Sequence, residues 1–145
     1  MELYRRENYL KKIRGFYHDS EMIKVITGVR RCGKSSLMQT IVEELKEQGV
    51  PEANLVFLDL DSKKHKSIKK PEQLEQEIDK LCSAEGMKYL FIDEIQNIIG
   101  FEEIINAYRG EKEYSVFITG SNSYLLSGEL ITKLTGRYIE IEMLP

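Results

Sequence analysis

Residues 22–38 read MIKVITGVRRCGKSSLM, and this stretch decides the fold class. Its first residues are rich in β-branched side chains, which predicts a strand near 22–28. Apolar residues then recur at helical spacing and predict an amphipathic helix over 34–48. Between them, residues 28–35 match the pattern G-x-x-x-x-G-K-[ST]. A strand that leads through such a loop into a helix indicates an α/β protein built on a parallel sheet.

The loop at 28–35 is predicted to bind phosphate. Backbone N–H groups and the helix dipole point at one place when a loop opens directly into a helix, and both favour an anion there. Lys34 adds a mobile cation, and the hydroxyl of Ser35 is a suitable ligand for Mg²⁺. A glycine turn without a function is the weaker interpretation, because strand and helix stand where the motif requires them. The predicted nucleotide-binding residues are Gly28, Arg30, Arg31, Cys32, Gly33, Lys34, Ser35 and Ser36.

A second motif, YLFIDE at 89–94, is an apolar strand that ends in two carboxylates. Ligands bind at the carboxyl ends of the strands in open α/β sheets. Asp93 is therefore expected to hold Mg²⁺ together with Ser35, directly or through water. Glu94 is expected to polarise a water molecule for in-line attack on a γ-phosphate. The alternative is that the two carboxylates only cap the following segment, and the phosphate loop upstream makes this less favoured.

Small polar side chains follow another apolar run, in VFITGSN at 116–122. If this strand neighbours the first one, Ser121 or Asn122 faces the γ-phosphate and can hydrogen-bond the phosphate or the attacking water. The equally favoured alternative is that one of them is the N-cap of a following helix.

Arg137 stands just before the last predicted strand, 138–142. A guanidinium stabilises charge spread over transferring phosphoryl oxygens, so Arg137 is a candidate arginine finger in its own site or in that of a neighbour. Spacing alone favours the other interpretation, a surface salt bridge with one of the many acidic residues.

The composition fits one soluble globular domain with a hydrophobic core. The chain has 145 residues, of which 41% are hydrophobic and 31% are charged, and a formal net charge of −3. This charge gives no indication of nucleic-acid binding. No apolar run approaches the roughly 20 residues that span a bilayer, and the N-terminus lacks the apolar segment of a secretory signal. With two isolated cysteines, a reducing, cytoplasmic setting without a disulfide framework is expected.

The remaining elements alternate between strand and helix along the chain, which indicates a parallel sheet with right-handed crossovers. The run at 54–60 is almost continuously apolar and predicts a strand buried on both faces. The other predicted elements are an amphipathic helix over 3–17, helices from Pro71 and around 101–108, and strands at 89–92, 114–119 and 138–142.

Four segments, 28–38, 91–96, 118–122 and 134–140, resemble motifs of a prokaryotic group of AAA-type P-loop ATPases. The resemblance covers nearly the whole chain. It implies a three-layer α/β/α core of the additional-strand, catalytic-glutamate type with sheet order 5-1-4-3-2. It also implies ATP and Mg²⁺ as ligands and the family's ATPase roles for Lys34, Ser35, Asp93 and Glu94. Arg137 matches the family's arginine before the fifth strand. This match implies a homo-oligomer in which Arg137 lies at the contact between subunits.

The expected organisation is an N-terminal helical segment, 1–20, packed on an ATPase core, 21–145. In the family that the chain resembles, a C-terminal domain of unknown function normally follows this core. Since Pro145 follows a strand almost directly, the chain is expected to be a fragment of a longer protein.

The favoured function is Mg²⁺-dependent ATP hydrolysis that switches a downstream effector domain. The alternative is a nucleotide-gated signalling or interaction module in which hydrolysis is slow or incidental. A small-molecule kinase is less favoured, because such enzymes seldom need a second carboxylate beside the magnesium aspartate and no arginine-rich lid is seen.

Overall fold

The computed structural model describes residues 6–29, 31–121, 132–134 and 136–144. Within them five strands are found, β1 (Ile23–Thr27), β2 (Leu55–Asp59), β3 (Lys88–Asp93), β4 (Tyr114–Gly120) and β5 (Tyr138–Glu142). Residues 6–121 contain the α-helices α1 (Glu7–Ile13), α2 (Lys34–Glu47), α3 (Pro71–Leu81) and α4 (Phe101–Gly110). Short 3₁₀ turns cover Arg14–Phe16, Glu52–Asn54 and Ile95–Asn97. Among the helices so described, none is both long and apolar enough to cross a membrane.

The strands form one parallel sheet in the order β2-β3-β4-β1-β5. This is the predicted order 5-1-4-3-2 read from the other edge, so the predicted α/β fold class is confirmed. Because β1, β4 and β3 are adjacent and parallel, their carboxyl ends meet at the same edge of the sheet. Everything that follows these three strands is therefore brought close together.

Side chains that alternate along each strand fill two separate cores. One core lies between the sheet and α3 with α4, and it contains Val25, Leu90 and Ile118. The other lies between the sheet and α1 with α2, and it contains Ile26 and the aromatic rings of the central strands. The result is the expected three-layer arrangement, with helices on both faces of a parallel sheet.

The N-terminal helix is shorter than predicted. In place of one helix over 3–17, α1 ends at Ile13 and the chain tightens into the 3₁₀ turn, while residues 1–5 lie outside the described residues. Gly15 weakens continued α-helix, because glycine loses the most backbone entropy in a helix. Arg14 also fixes the turn, since its guanidinium binds Glu44 of α2 through two hydrogen bonds of 3.0 and 2.7 Å.

The strand predicted over 54–60 is not buried on both faces. In β2, Val56 and Leu58 are buried, but Leu55 and Phe57 are only partly covered. β2 is an edge strand, and its outer residues lie at the margin of the α1–α2 core. The apolar run of β2 resembles that of a central strand, but a strand at the edge of the sheet has fewer neighbours to bury its side chains.

Lys24 is fully buried in the middle of the sheet, on the side of the aromatic core. Its Nζ donates to the carbonyl oxygen of Asp19 at 2.6 Å and to Oγ of Ser115 at 2.8 Å, and it lies 4.8 Å from the centre of the Phe117 ring. Burial lowers the pKa of Lys24 from 10.5 to about 7, and the charge of Asp19 only partly opposes this.

The buried amine predicts a pH-dependent stability. The unfolded chain holds the Lys24 proton up to its ordinary pKa of 10.5, whereas the folded chain loses it near pH 7. The unfolded state therefore binds more protons between these values, and the free energy of unfolding rises with pH across this window and falls as pH drops towards 7. Relative to Lys24→Met, the wild-type protein should gain about 2 kcal/mol between about pH 7 and about pH 9. Urea unfolding of both proteins at these values measures the difference, and parallel profiles would contradict it.

Candidate functional site

A cavity of about 300 Å³ lies at the carboxyl ends of β1 and β3. The loop after β1 forms one side of the cavity, and the end of β3 forms the other. The structure thus brings the two sequence motifs together, although about sixty residues separate them. The residues lining the cavity are Arg31, Gly33, Lys34, Ser35, Ser36, Asp93 and Glu94.

Two glycines give the loop its shape. Gly33 precedes the first residue of α2 with a φ of 100°, a backbone conformation that side-chain-bearing residues rarely adopt. Gly28 is needed for a close approach. A Cβ there would lie 2.6 Å from Sγ of Cys32 and 2.8 Å from the carbonyl oxygen of Met143. The loop can therefore close over the start of α2 only with glycine at these two positions.

Lys34 is buried at the base of the loop. Its Nζ donates hydrogen bonds to the carbonyl oxygens of Gly28 at 2.9 Å and Val29 at 3.0 Å. The ammonium group therefore lies inside the curve of the loop, at the N-terminus of α2. A buried cation and a helix N-terminus at one place favour a bound phosphate.

The predicted loop residues do not all face the cavity. Arg31 lines it and has a positive φ of 65°. Cys32 is 6% exposed and belongs to the α1–α2 core, where its sulfur packs against Gly28, so its side chain has a packing role. Arg30 lies outside the described residues.

Asp93 is held by Thr119 at the end of the neighbouring strand. Oγ1 of Thr119 donates a short hydrogen bond to Oδ1 of Asp93, and both side chains are buried. Burial raises the pKa of Asp93. Hydrogen bonds from Thr119 and Ser35 act in the opposite direction, and the nearby charges of Asp59 and Glu94 raise it further. Ser35 and Asp93, the two predicted metal ligands, both line the cavity.

These groups fit a divalent cation. Asp59 ends β2 directly opposite Asp93 in the strand register, so three carboxylates gather at this edge of the sheet. Their mutual repulsion is relieved by a bound cation. Carboxylate and hydroxyl oxygens are the donors that Mg²⁺ prefers, and it usually keeps several waters and takes few protein ligands. Among the described residues, no group of three or more His, Cys, Asp or Glu side chains could hold a metal ion, so a cation site here would consist of Asp93, the hydroxyl of Ser35 and water.

Glu94 is fixed through both its backbone and its side chain. Its backbone is left-handed, with φ 62° and ψ 51°, and its N–H donates to Oγ1 of Thr119 at 3.0 Å. Oε2 of its carboxylate accepts hydrogen bonds from Nε2 of Gln96 at 2.5 Å and from Oγ of Ser121 at 3.1 Å. Strain of this kind is found where the surrounding structure overdetermines a residue, as at functional sites.

The residues after β4 are partly as predicted. β4 does neighbour β1, and Ser121 reaches the site through the carboxylate of Glu94. Asn122, the other candidate, lies outside the described residues, as does the segment that would form a helix after it. Ser121 is thus placed at the site, and its role towards a phosphate stays a prediction.

Sequence reasoning missed three residues at this edge of the sheet. Thr119 looks like an ordinary strand residue, and Asp59 like the end of an edge strand. Gln96 lies two residues beyond the carboxylate pair and gives no signal by itself. A sequence signal exists only for Asp59, which ends an apolar run as Asp93 does.

Arg137 lies at the opposite end of the sheet from the phosphate loop. The residue after it, Tyr138, pairs with Ile23 at the start of β1, whereas the loop follows the other end of that strand. Four residue steps along β1 alone separate the two by roughly 13 Å. A finger role in its own site is therefore wrong. The guanidinium is 60% exposed and its Nη1 lies 3.6 Å from Oε2 of Glu21, the surface salt bridge that spacing had favoured.

Comparison with known sequences gives consistent matches. A family model described as "AAA domain" matches residues 20–145. An uncharacterized protein of Haemophilus influenzae is 43% identical over 141 residues, which is 97% of this chain and 35% of that protein. The uncharacterized protein MJ1544 of Methanocaldococcus jannaschii is 34% identical over 124 residues, which is 85% of this chain and 26% of that protein. The chain thus spans about a third of the length of the first relative and a quarter of the second.

Two solved structures share the fold. PCH-2 from C. elegans matches with a TM-score of 0.64 and 17% identity over 97% of this chain and 43% of its own. AMPPCP-bound DnaA from Aquifex aeolicus matches with a TM-score of 0.58 and 18% identity over 94% of this chain and 44% of its own. At such low identity the likeness is one of fold.

Thr119→Val should destabilise the protein, because the variant keeps the shape of the side chain but removes its hydroxyl. Asp93 then loses its donor and the N–H of Glu94 loses its acceptor, and a buried polar group without a partner costs roughly 1–3 kcal/mol. Urea unfolding measures the loss. Thr40→Val is the matched control, since the equally buried Thr40 hydroxyl bonds only the carbonyl of Ser36 within its own helix. Equal losses in both variants would contradict a special role for Thr119.

Proposed function

This chain belongs to the AAA domain family of P-loop ATPases, and we propose that it binds ATP with Mg²⁺ and hydrolyses it to ADP and phosphate. The observation that carries the proposal is the shared cavity. It joins a phosphate loop, with Lys34 and Ser35, to the two carboxylates Asp93 and Glu94. Phosphate binding requires the first pair, and water activation beside a metal ion requires the second.

Each residue of the cavity has a distinct task in this proposal. Lys34 leaves the loop carbonyls and pairs with the β- and γ-phosphates, while the N–H groups at the start of α2 hold the remaining phosphate oxygens. Ser35 and Asp93 hold Mg²⁺, which when bound neutralises charge that develops on the phosphate oxygens.

Glu94 acts as the general base. Its carboxylate accepts a proton from a water molecule aligned with the γ-phosphate, and the water oxygen forms the new P–O bond as the bond to the ADP oxygen breaks. Ser121 contacts the same carboxylate and is the candidate sensor of the γ-phosphate.

We also propose that a downstream effector domain responds to the ATPase domain. The two relatives are about three to four times as long as the matched region, so the ATPase domain is one part of each. We propose that binding and hydrolysis of ATP set the state of a further domain in such a protein. A nucleotide-gated module with little hydrolysis is the alternative that the following measurement separates.

Lys34→Ala and Glu94→Gln are expected to separate binding from hydrolysis. Lys34→Ala should remove ATP binding with the domain still folded, because the charge that offsets the phosphates is lost. Glu94→Gln should keep ATP bound and unhydrolysed, because the amide cannot take a proton from water. Calorimetric titration and phosphate release measure the two effects.

The control for both variants is Lys46→Ala, which removes an exposed lysine from the far end of the same helix. Unchanged ATP affinity in Lys34→Ala would overturn the proposed binding site. If Glu94→Gln left an already slow turnover unaltered, the nucleotide-gated module would be the better description.

We propose that Arg137 serves a neighbouring subunit. Its guanidinium is exposed, and it lies at the end of the sheet opposite the phosphate loop of its own chain. Release from Glu21 would free the side chain to reach a nucleotide on a second copy, where it would stabilise phosphoryl charge.

Arg137→Ala should preserve ATP binding and reduce hydrolysis by roughly 10³-fold or more if the residue acts as a finger in trans. The assay uses the full-length protein. Mixing Arg137→Ala with Glu94→Gln subunits should restore part of the activity, because each subunit supplies what the other lacks. Glu21→Ala is the control, since it keeps the guanidinium of Arg137 and removes the carboxylate that pairs with it and, at 4.0 Å, with Arg109. Wild-type turnover by Arg137→Ala would show that the arginine has only a structural role.

A further inference from the structure

We infer that Gln96 is a positioning residue for ATP hydrolysis. It fixes the carboxylate of Glu94 so that one carboxylate oxygen, Oε1, is left to accept the proton of the attacking water. This inference rests on the proposed function, because it gives Gln96 a task only if Glu94 is the general base. Gln96 follows Glu94 by two residues and lies in the 3₁₀ turn Ile95–Asn97.

The hydrogen bonds at Glu94 divide its two carboxylate oxygens. Nε2 of Gln96 and Oγ of Ser121 both donate to Oε2, at 2.5 and 3.1 Å. A carboxylate oxygen has two lone pairs, so these two donors engage Oε2 fully. Oε1 accepts no hydrogen bond from the described part of the chain. The proton of an attacking water therefore has one acceptor with a defined direction.

The Gln96 amide is oriented so that its N–H group contacts Glu94, at the expense of a partner for its own carbonyl in the residues that the structure describes. Its Oε1 is buried, and no donor among the described residues reaches it. Turning the amide over would place Oε1 against the carboxylate, two acceptors face to face. The side chain thus leaves its own carbonyl unsatisfied and keeps its N–H group on Glu94. Unsatisfied buried acceptors are uncommon in native structures and call for an explanation.

The local backbone makes this contact possible. The left-handed conformation of Glu94 reverses the chain after β3, so that a side chain two residues later can reach back. The reversal is secured at both ends. The N–H of Glu94 bonds Thr119 on β4, and the N–H of Asn97 donates to the carbonyl of Glu94 at 3.1 Å. A general base held through both backbone and carboxylate needs little reorganisation when the reaction begins.

The test compares Gln96→Ala with Asn97→Ala in the full-length protein. Asn97 is in the same turn and carries the same amide group, but its Nδ2 contacts Asp61 at 2.8 Å and not Glu94. We expect Gln96→Ala to lower kcat by roughly 10- to 100-fold, as for a displaced base, with KM and the equilibrium affinity for ATP within about twofold of wild type. Asn97→Ala should keep kcat within about twofold of wild type, because the general base is untouched.

Gln96→Glu provides a second readout that a purely structural role would not change. The introduced carboxyl has the same shape, but it puts an acceptor in place of the donor and repels the carboxylate of Glu94. We expect kcat of this variant to fall at least as far as that of Gln96→Ala, with the equilibrium affinity for ATP within about twofold of wild type. This readout also decides the question if Gln96→Ala does not fold.

Each other outcome has a definite meaning. Wild-type kcat in Gln96→Ala or in Gln96→Glu would overturn the inference. A raised kcat would overturn it too and would show that Gln96 restrains Glu94. An equal loss of kcat in Asn97→Ala would also overturn it, because the effect would then belong to the whole 3₁₀ turn and not to Gln96. If the unaltered protein binds ATP without hydrolysing it, the proposed hydrolysis fails, and Gln96 has no reaction to serve.

Discussion

The hydroxyl of Thr119 is the interaction on which the geometry of the site depends. It donates to the side chain of Asp93 and accepts from the backbone of Glu94, so one buried group on β4 sets both carboxylates at the end of β3. This requires a fixed register between the two strands. A slip of one residue would turn Thr119 towards the opposite face of the sheet and leave the carboxylate of Asp93 and the backbone N–H of Glu94 without this partner. The tight aromatic packing of Phe91 on Phe117, with ring centres 4.5 Å apart, helps to hold that register.

The same edge of the sheet gathers features that are unfavourable in isolation. Three carboxylates lie close together, burial raises the pKa of one of them, and Glu94 adopts a left-handed backbone. A lysine ammonium is buried within the loop on the other side of the cavity. The proposed ligands, a polyphosphate with a divalent cation, would complement these charges. The fold thus supplies an arrangement for binding that adds little to its own stability.

The two ends of the sheet differ in character. The carboxyl end holds the cavity, whereas the amino end is tied together by buried hydrogen bonds around Lys24, Ser115 and Tyr17 and by the surface pair of Arg137 and Glu21. Because the strands are parallel, a residue that precedes a strand cannot reach ligands bound after its neighbour. This separation keeps Arg137 away from the cavity of its own chain, which is lined by residues that follow strands.

The sequence by itself determined the elements and the motif chemistry. A glycine-bounded loop between strand and helix, and an apolar strand ending in two carboxylates, are local patterns whose backbone consequences do not depend on distant residues, and the resemblance to a known family added the strand order. The tertiary structure alone decided which residues support them. Thr119 and Gln96 carry no local signal of their contacts, and Asp59 has only its place at the end of an apolar run, because strand register and a left-handed turn create those contacts. Likewise, the contact of Arg14 with Glu44 helped to end α1, the strand order left β2 half-covered at the edge, and strand pairing placed Arg137 far from its own phosphate loop. The physical reason is that local patterns fix backbone preference, while the pairing of distant strands fixes which side chains meet.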